Sequence, residues 1–233
     1  MRTQQDKTIR NMNLHLCATW ECDDNWWPII RPSYAIPERL ATFELATAPR
    51  NGDAFCHFFM DDYRFERVWN RPERYVKPLR QYAGCIAPDF SMYTDMPYPM
   101  QMWNQYRSRM LTQYWQDNGI EVIPSFGWSD WRSLEFCCDG LPQGGTYAVG
   151  TVGCLRTEES TVDFARKLSE CLDRVRPDTL LLYGHEVDLG IPSNIRTIWY
   201  GNDNHDRVVA NAGHTDRKRG DHGKRRTEQR SNA

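Results

Sequence analysis

Five polar side chains stand where the sequence predicts strands to end, and together they suit acid–base chemistry. They are Asp61, Asp89, Tyr93, Asp130 and His185. In α/β proteins with parallel strands, ligands bind at the carboxyl ends of those strands. Several carboxylates with a histidine at that edge fit general acid–base catalysis, and carboxylate oxygens also fit a divalent metal. The sequence therefore predicts a carboxylate-lined site there, with or without a metal.

Asp89 is the centre of the predicted site because helix capping does not account for it. An Asp after a strand commonly caps the next helix. Asp62 and Asp130 stand at capping distance before apolar helix positions, so capping is our first interpretation of both. Asp89 follows Pro88 and lies well before Pro97, near which the next helix begins at the earliest. Its carboxylate is therefore free for chemistry.

The cysteines and glycines form no recognisable cofactor motif. Cys17 with Cys22, and Cys137 with Cys138, lack the C-x-x-C spacing typical of structural zinc sites. We interpret the eight cysteines as reduced thiols, several of them core residues. The glycines of residues 144–153 match neither a phosphate-binding loop nor a dinucleotide fingerprint. We expect no nucleotide cofactor of those types.

Alternating apolar runs and helical stripes predict one α/β domain over residues 36–200. The predicted strands are residues 42–47, 55–60, 83–87, 120–126, 147–152 and 179–183. The predicted helices are residues 63–69, 72–82, 97–118, 131–138 and 160–175. Strands that are apolar on both faces and alternate with helices indicate a mostly parallel sheet covered by helices. A partial or distorted barrel and an open sheet both fit, and the regular repeat favours the barrel-like form.

The longest predicted helix, residues 97–118, combines an apolar stripe with a polar face. The stripe consists of Trp103, Tyr106, Met110 and Tyr114. The polar face consists of Gln101, Gln105, Arg107, Arg109 and Gln113. We expect the stripe in the core and the polar face in solvent. A phosphate contact through the two arginines is the alternative for that face.

The two ends of the chain differ from the domain between them. Residues 1–35 have little periodicity but are rich in Trp, which predicts an irregular segment packed across the domain. Residues 201–233 hold eight Lys or Arg and five Asp or Glu, a net charge of +3. The rest of the chain carries −5, which gives the net −2 of the whole. We predict that residues 201–233 form a disordered basic tail.

No apolar run approaches the roughly 20 residues that a membrane-spanning helix needs. The first residues, MRTQQDKTIRNMN, also lack the apolar core of a signal peptide. We therefore expect a soluble intracellular protein without a membrane partner.

Six segments give the chain a specific resemblance. They are MDDYRFERVWNRPERYV (60–76), APDFSMYTDMPYPMQMWNQYRSR (87–109), YWQDNGIEVIPSFGWSD (114–130), FCCDGLP (136–142), AVGTVGC (148–154) and RPDTLLLYG (176–184). In this order they resemble the uncharacterised domain-of-unknown-function family numbered 4417, found in Gram-positive bacteria and their phages. The resemblance covers residues 36–184 and leaves the Trp-rich segment and the tail outside it. It implies a bacterial, phage or mobile-element setting in the cytoplasm of a bacterial host, and it carries no activity with it.

Two functions of different kinds fit these features. The leading hypothesis is an enzyme that hydrolyses or modifies a nucleic acid or nucleotide at the strand-end site. The alternative is a non-enzymatic accessory protein of phage or plasmid replication that binds DNA or a protein partner. Its nucleic-acid contacts would come from the basic clusters of the tail, Arg217, Lys218, Arg219, Lys224, Arg225 and Arg226. The same clusters equally suit a solubilising end.

Overall fold

The structure is a computed structural model that describes residues 12–17, 21–43 and 52–201. The chain divides into two units, residues 1–200 and residues 201–233. The predicted basic tail lies outside the described residues apart from Gly201, and so does most of the predicted strand at 42–47.

Seven parallel strands form two sheets within the described residues. The first sheet contains β1 (Leu40–Thr42), β2 (Phe55–His57), β3 (Gly84–Ile86) and β4 (Val122–Ile123), in that order. The second contains β5 (Thr146–Gly150), β6 (Thr179–Tyr183) and β7 (Arg196–Tyr200), in that order. Every pairing is parallel. The predicted α/β class with parallel strands is confirmed.

In the described part of the chain, α-helices lie in three of the six connections between consecutive strands. Between β2 and β3 lie α1 (Asp62–Phe65), α2 (Arg67–Asn70) and α3 (Glu73–Leu79). Between β3 and β4 lies α4 (Tyr98–Asp117), and between β5 and β6 lies α5 (Glu158–Val175). Two 3-10 helices cover Leu14–Cys17 and Trp131–Glu135. None of the described helices combines the length and the apolar composition that a membrane crossing requires.

Three apolar clusters form the core. The first packs α1–α4 against β2, β3 and β4, and the second packs α5 against β5 and β6. The third, which we call the inner cluster, takes side chains from every one of the seven strands. Its members include Leu40, Phe55, Phe59, Ile86, Ile123, Ala148, Leu181, Tyr183, Ile198 and Tyr200. Along β6, residues of the inner cluster alternate with residues of the second cluster, so this strand is apolar on both faces.

The two sheets touch between β4 and β5. Ser125 and Ala148 form an isolated parallel bridge, and the Ala148 amide donates to the Pro124 carbonyl oxygen at 3.0 Å. At the other edges, the Tyr200 hydroxyl donates to the carbonyl oxygen of Pro37, which precedes β1. No ladder joins β1 to β7 in the described part of the chain, so the described strands form no closed barrel.

Polar side chains of α4 are buried, and the prediction that they face solvent was wrong. Gln101, Gln105, Arg107, Arg109 and Gln113 are each less than a tenth exposed. The irregular segments around α4 turn backbone carbonyl groups toward it, and a buried carbonyl requires a donor. The amides and guanidinium groups of α4 supply those donors, which hydropathy periodicity does not reveal. Of the predicted core stripe, Met110 is buried and its three aromatic members are partly buried against the first cluster.

Residues 21–39 are an irregular segment whose carbonyl groups accept hydrogen bonds from α4. They contain no helix or strand apart from an isolated bridge between Cys22 and Pro28. The Gln113 amide donates to the carbonyl oxygens of Glu21 at 2.7 Å and Ile29 at 3.0 Å. This irregular segment is therefore attached to α4 by side-chain donors.

Arg109 connects three further points of the chain. Its guanidinium donates to the carbonyl oxygens of Ser125 at 3.0 Å, Cys137 at 2.7 Å and Asp139 at 3.0 Å. Burial lowers the pKa of Arg109 to about 10, so the group stays charged at neutral pH. Arg107 is bonded as well, to Glu66 at 2.6 Å. Neither arginine is placed to meet a phosphate, contrary to the prediction.

Several element boundaries differ from the predicted ones. The helix predicted from residue 160 begins at Glu158, after a capping box in which the Thr157 side chain accepts from the Ser160 amide and the Ser160 side chain from the Thr157 amide. Residues 131–138 form a shorter 3-10 helix, and β4 has only two residues. The sequence analysis missed β7 entirely, because its first residues are exposed and its apolar pattern is weak. Its β-branched and aromatic residues, TIWY, were the available signal.

Replacing Arg109 by Leu tests the role of α4. The variant removes the side-chain donor from the carbonyl groups of Ser125 and Asp139 and leaves Gln105 as the donor to Cys137. Each lost hydrogen-bond partner costs about 1–3 kcal/mol. We expect the free energy of unfolding in urea to fall by roughly 3–5 kcal/mol. Arg166→Leu, on the exposed side of α5, is the matched control and should change it by less than about 0.5 kcal/mol. Similar values for the two variants would contradict the assignment.

Candidate functional site

Asp89 lies three residues beyond β3, and its carboxylate faces the ends of the next two strands. A methyl group on Gly127, which follows β4, would lie 3.3 Å from Asp89 Oδ1. A methyl group on Gly150, the last residue of β5, would lie 3.4 Å from Asp89 Oδ2. The carboxyl ends of three strands therefore meet around this carboxylate.

Gly150 also makes room for aromatic rings from the other strands. A Cβ at residue 150 would come within 2.7 Å of Phe59 Cδ1, so the ring would have to move. Phe59 follows β2 and stacks on Tyr183, the last residue of β6, with ring centroids 5.3 Å apart. The His57 ring lies 4.4 Å from the Tyr183 ring. His57, Phe59 and Tyr183 thus form an aromatic group. Gly150 is in close contact both with the Phe59 ring of this group and with the Asp89 carboxylate.

Asp62 places a second carboxylate near Asp89. It is the first residue of α1, and both of its carboxylate oxygens accept from the Ser91 amide at 3.1 Å. The Ser91 hydroxyl also donates to it, at 2.8 Å. The prediction that Asp62 caps the next helix was wrong, because Ser91 supplies donors from a segment 29 residues away. The contact instead joins the loops that follow β2 and β3.

The pKa of Asp89 is raised from the ordinary 3.8 to about 7. Burial disfavours the charged carboxylate, and the negative charge of Asp62 adds to the effect. No group in the described ranges donates a hydrogen bond to this carboxylate or pairs with it to offset these effects. The residue is nevertheless partly exposed, so a ligand can reach it. A carboxyl group with this pKa both donates and accepts a proton near neutral pH.

The neighbouring His57 and Cys154 are not activated for chemistry. Burial lowers the pKa of His57 to about 3, so the imidazole is neutral, and its Nδ1 accepts from the Phe59 amide at 3.3 Å. Burial of the sulfur and then the negative charge of Asp89 raise the pKa of the Cys154 thiol. A thiol held in its protonated form is a poor nucleophile. Asp89 is thus the group of this site best suited to exchange a proton.

The other four predicted site residues lie in different surroundings. Asp61, Tyr93 and His185 are exposed, and Asp61 stands at the N-cap position of α1 without a side-chain capping bond. Asp130 accepts from backbone amides of the 3-10 helix Trp131–Glu135, so its predicted capping role is confirmed. The side chain of Arg132 also donates to it and lowers its pKa. Catalytic roles for these four residues stay predictions.

At the strand ends, the described residues bring no three His, Cys, Asp or Glu side chains close enough to share an ion. Within the described residues, the group of three His, Cys, Asp or Glu side chains close enough to share an ion consists of Cys137, Cys138 and Cys171. A surface groove of about 510 Å³ runs along α5 and is lined by Glu158, Glu159, Val162, Asp163 and Arg166. None of its lining residues stands at a strand end.

The sequence analysis missed the two glycines that surround Asp89. Their signal was available, since Gly127 and Gly150 each follow or end an apolar run. A glycine at such a place often marks the close approach of another group. The sequence does not show that the approaching group is Asp89.

Comparisons with known proteins place these features in a family. A family model with the description "Domain of unknown function (DUF4417)" matches residues 21–198. The match includes residues 21–35, so the prediction that the Trp-rich segment lies outside the family was wrong for these residues. The hydrogen bonds from Gln113 explain why this segment belongs with the rest.

Two curated relatives are phage proteins. The "Gene 1 protein" of Mycobacterium phage L5 is 41% identical over 187 residues, which are 77% of this chain and 81% of that protein. The "Gene 1 protein" of Mycobacterium phage D29 is 40% identical over 161 residues, which are 67% of this chain and 59% of that protein. No solved structure matches the chain.

Asp89→Asn tests the electrostatics of the site through stability. Because the pKa of Asp89 is higher in the folded state, the folded protein binds more protons between about pH 4 and pH 7. Its contribution to stability is therefore lost as the pH rises through this range. A shift of this size is worth at most ~4 kcal/mol, and partial exposure reduces it to ~1–3 kcal/mol. At pH 8 the Asn variant should be more stable than the wild type by that amount.

The measurement is urea unfolding of both proteins from pH 4 to pH 8. The difference between variant and wild type should grow with pH up to about 7 and then level off. Asp173→Asn, at an exposed position of α5, is the control and should show no such growth. A difference that stays constant with pH would disprove the raised pKa.

Proposed function

The chain belongs to the DUF4417 family, and on that premise we propose that it is an enzyme in which Asp89 transfers the proton. One observation carries the proposal. A partly exposed carboxyl group with a pKa near 7 stands at the ends of parallel strands and has no hydrogen-bond donor among the described residues. Such a group lowers stability, and groups of this kind are concentrated at functional sites.

The surrounding residues fit this role. Near neutral pH about half of the Asp89 carboxyl groups are protonated, so the group accepts a proton from a nucleophile and returns one to a leaving group. Asp62, fixed by Ser91, supplies the negative charge that helps to keep the pKa high. Gly127 and Gly150 leave space beside the carboxylate. The buried rings of Phe59 and Tyr183 keep water from that side.

The proposed substrate is a nucleic acid or a nucleotide, and the proposed reaction is hydrolysis or modification of a base. The phage origin of the two relatives supports this class of substrate. The basic clusters of residues 217–226 also support it, because Lys and Arg attract phosphate groups.

We also infer that the strands curl into an incomplete barrel. In a flat sheet with strands in chain order, β2 and β6 would be four strand spacings apart, roughly 19 Å. Phe59 and Tyr183, from the ends of these strands, have ring centroids only 5.3 Å apart. The bridge between β4 and β5 and the inner cluster of all seven strands support the same curvature. In this arrangement, strand ends that are distant in the strand order face one another across the Asp89 site.

A second candidate is a nucleic-acid-binding accessory protein without catalysis, which the basic clusters of residues 217–226 favour. This candidate requires the basic clusters, whereas the enzyme requires Asp89. Thermal shift with single- and double-stranded DNA separates the two functions. A shift that survives Asp89→Asn but disappears in a chain ending at Tyr200 favours the binding protein.

The enzyme proposal is tested with a panel of nucleotides, nucleosides, and single- and double-stranded nucleic acids. Products are identified by liquid chromatography with mass spectrometry. We expect turnover by the wild type, a rate that changes with an inflection near pH 7, and a loss of about 10²–10⁴-fold in Asp89→Asn.

Asp173→Asn is the control for a lost carboxylate and should retain the wild-type rate. Equal rates for wild type and Asp89→Asn would remove Asp89 from the mechanism. Absence of turnover with every member of the panel would contradict the proposed substrate class.

A further inference from the structure

Three sulfur atoms meet outside the strand-end site. Cys137 and Cys138 follow the 3-10 helix Trp131–Glu135, and Cys171 lies on α5. The Sγ atom of Cys137 is 3.5 Å from that of Cys171 and 3.7 Å from that of Cys138. All three lie within 4.8 Å of one another. We call this group the thiol cluster.

We propose that the thiol cluster is a site for a thiophilic metal ion, with Zn²⁺ as the reference ion. Zn–S bonds are about 2.3 Å long, so two sulfurs of a tetrahedral zinc site are about 3.8 Å apart. The two distances from Cys137 are close to this value without any metal present. Three thiolates occupy three corners of the tetrahedron, and a water molecule completes it.

Two of the three cysteines are buried and fix the site, and the third gives an ion access to it. Cys137 and Cys171 are fully buried, while Cys138 is partly exposed. The cluster therefore reaches the surface at Cys138, where an ion enters and the fourth ligand has access. The backbone at Cys137 is held in place, because its carbonyl oxygen accepts from both Gln105 at 3.0 Å and Arg109 at 2.7 Å.

Two positive charges lie beside the thiol cluster. They are the guanidinium groups of Arg109 and Arg174, which lie near Cys138. Binding of Zn²⁺ releases up to three thiol protons and leaves a centre of net charge −1. The two guanidinium groups then stand beside a negative rather than a neutral group, which stabilises the metal-bound form.

Two buried thiols elsewhere provide a matched comparison. Cys56 and Cys85 are partners across β2 and β3 and are also fully buried. They form a pair without a third ligand in the described residues. A substitution of Cys56 or Cys85 removes one thiol, as Cys138→Ser does, but it leaves the proposed metal site intact.

The test is zinc binding by the full chain, reduced and stripped of metal, in competition with a chromogenic chelator. We expect one tightly bound ion per chain, an affinity at least tenfold weaker in Cys138→Ser, and an unchanged affinity in Cys85→Ala. Zinc at about a hundred times its dissociation constant should raise the melting temperature of wild type and Cys85→Ala by about 5 °C or more. Cys138→Ser should show little of this rise.

Cobalt replaces zinc as a spectroscopic probe on the unsubstituted chain, so the test does not depend on the folding of a variant. Coordination by three thiolates should give a strong ultraviolet charge-transfer band. Absence of that band, equal zinc affinity of wild type and Cys138→Ser, or an equal loss in Cys85→Ala would each overturn the proposal. A disulfide between Cys137 and Cys171 in the protein as isolated would overturn it as well.

Discussion

Buried carbonyl groups outside regular structure need hydrogen-bond donors, and α4 provides them for much of this fold. Gln113 serves the irregular segment before β1, and Arg109 serves the loops after β4. Because these contacts fix the chain, strands of only two or three residues suffice in the first sheet. A helix with an apolar buried face would pack equally well but would leave these carbonyls unpaired. The polar composition of α4 is therefore a condition for the rest of the structure.

The same helix holds the loop that carries Asp89. The Ser108 hydroxyl donates to the Pro88 carbonyl oxygen at 2.6 Å, and the Asn104 amide donates to that of Ser91 at 2.7 Å. The residues on either side of Asp89 are thus bonded, while its own carboxylate accepts no hydrogen bond from the described residues. A fixed backbone around an unpaired acid is the arrangement that proton transfer needs, because the group neither moves away nor loses its raised pKa to a donor.

Arg109 links the strand-end site to the thiol cluster. Its guanidinium bonds to Ser125, whose hydroxyl donates to Ala87 near Asp89, and also to Cys137 of the cluster. An ion bound by the cysteines would fix α5 to the same turn that Arg109 holds. The family match over residues 21–198 spans all of these parts, from the irregular segment to β7. The site, the cluster and α4 therefore belong to one unit of the family.

The sequence by itself determined features that depend on neighbours along the chain. Sequence patterns established the α/β class, strand β6 at its observed bounds, the end of α4 within one residue, and Asp89 as an acid that caps no helix. Local chemistry also identified Asp130 as a cap, but the same rule failed for Asp62. Tertiary structure alone decided that Asp62 binds Ser91, that the polar side of α4 is buried, and that three cysteines meet. The reason is physical: desolvation and hydrogen bonding depend on which distant groups come together, and periodicity carries no record of those partners.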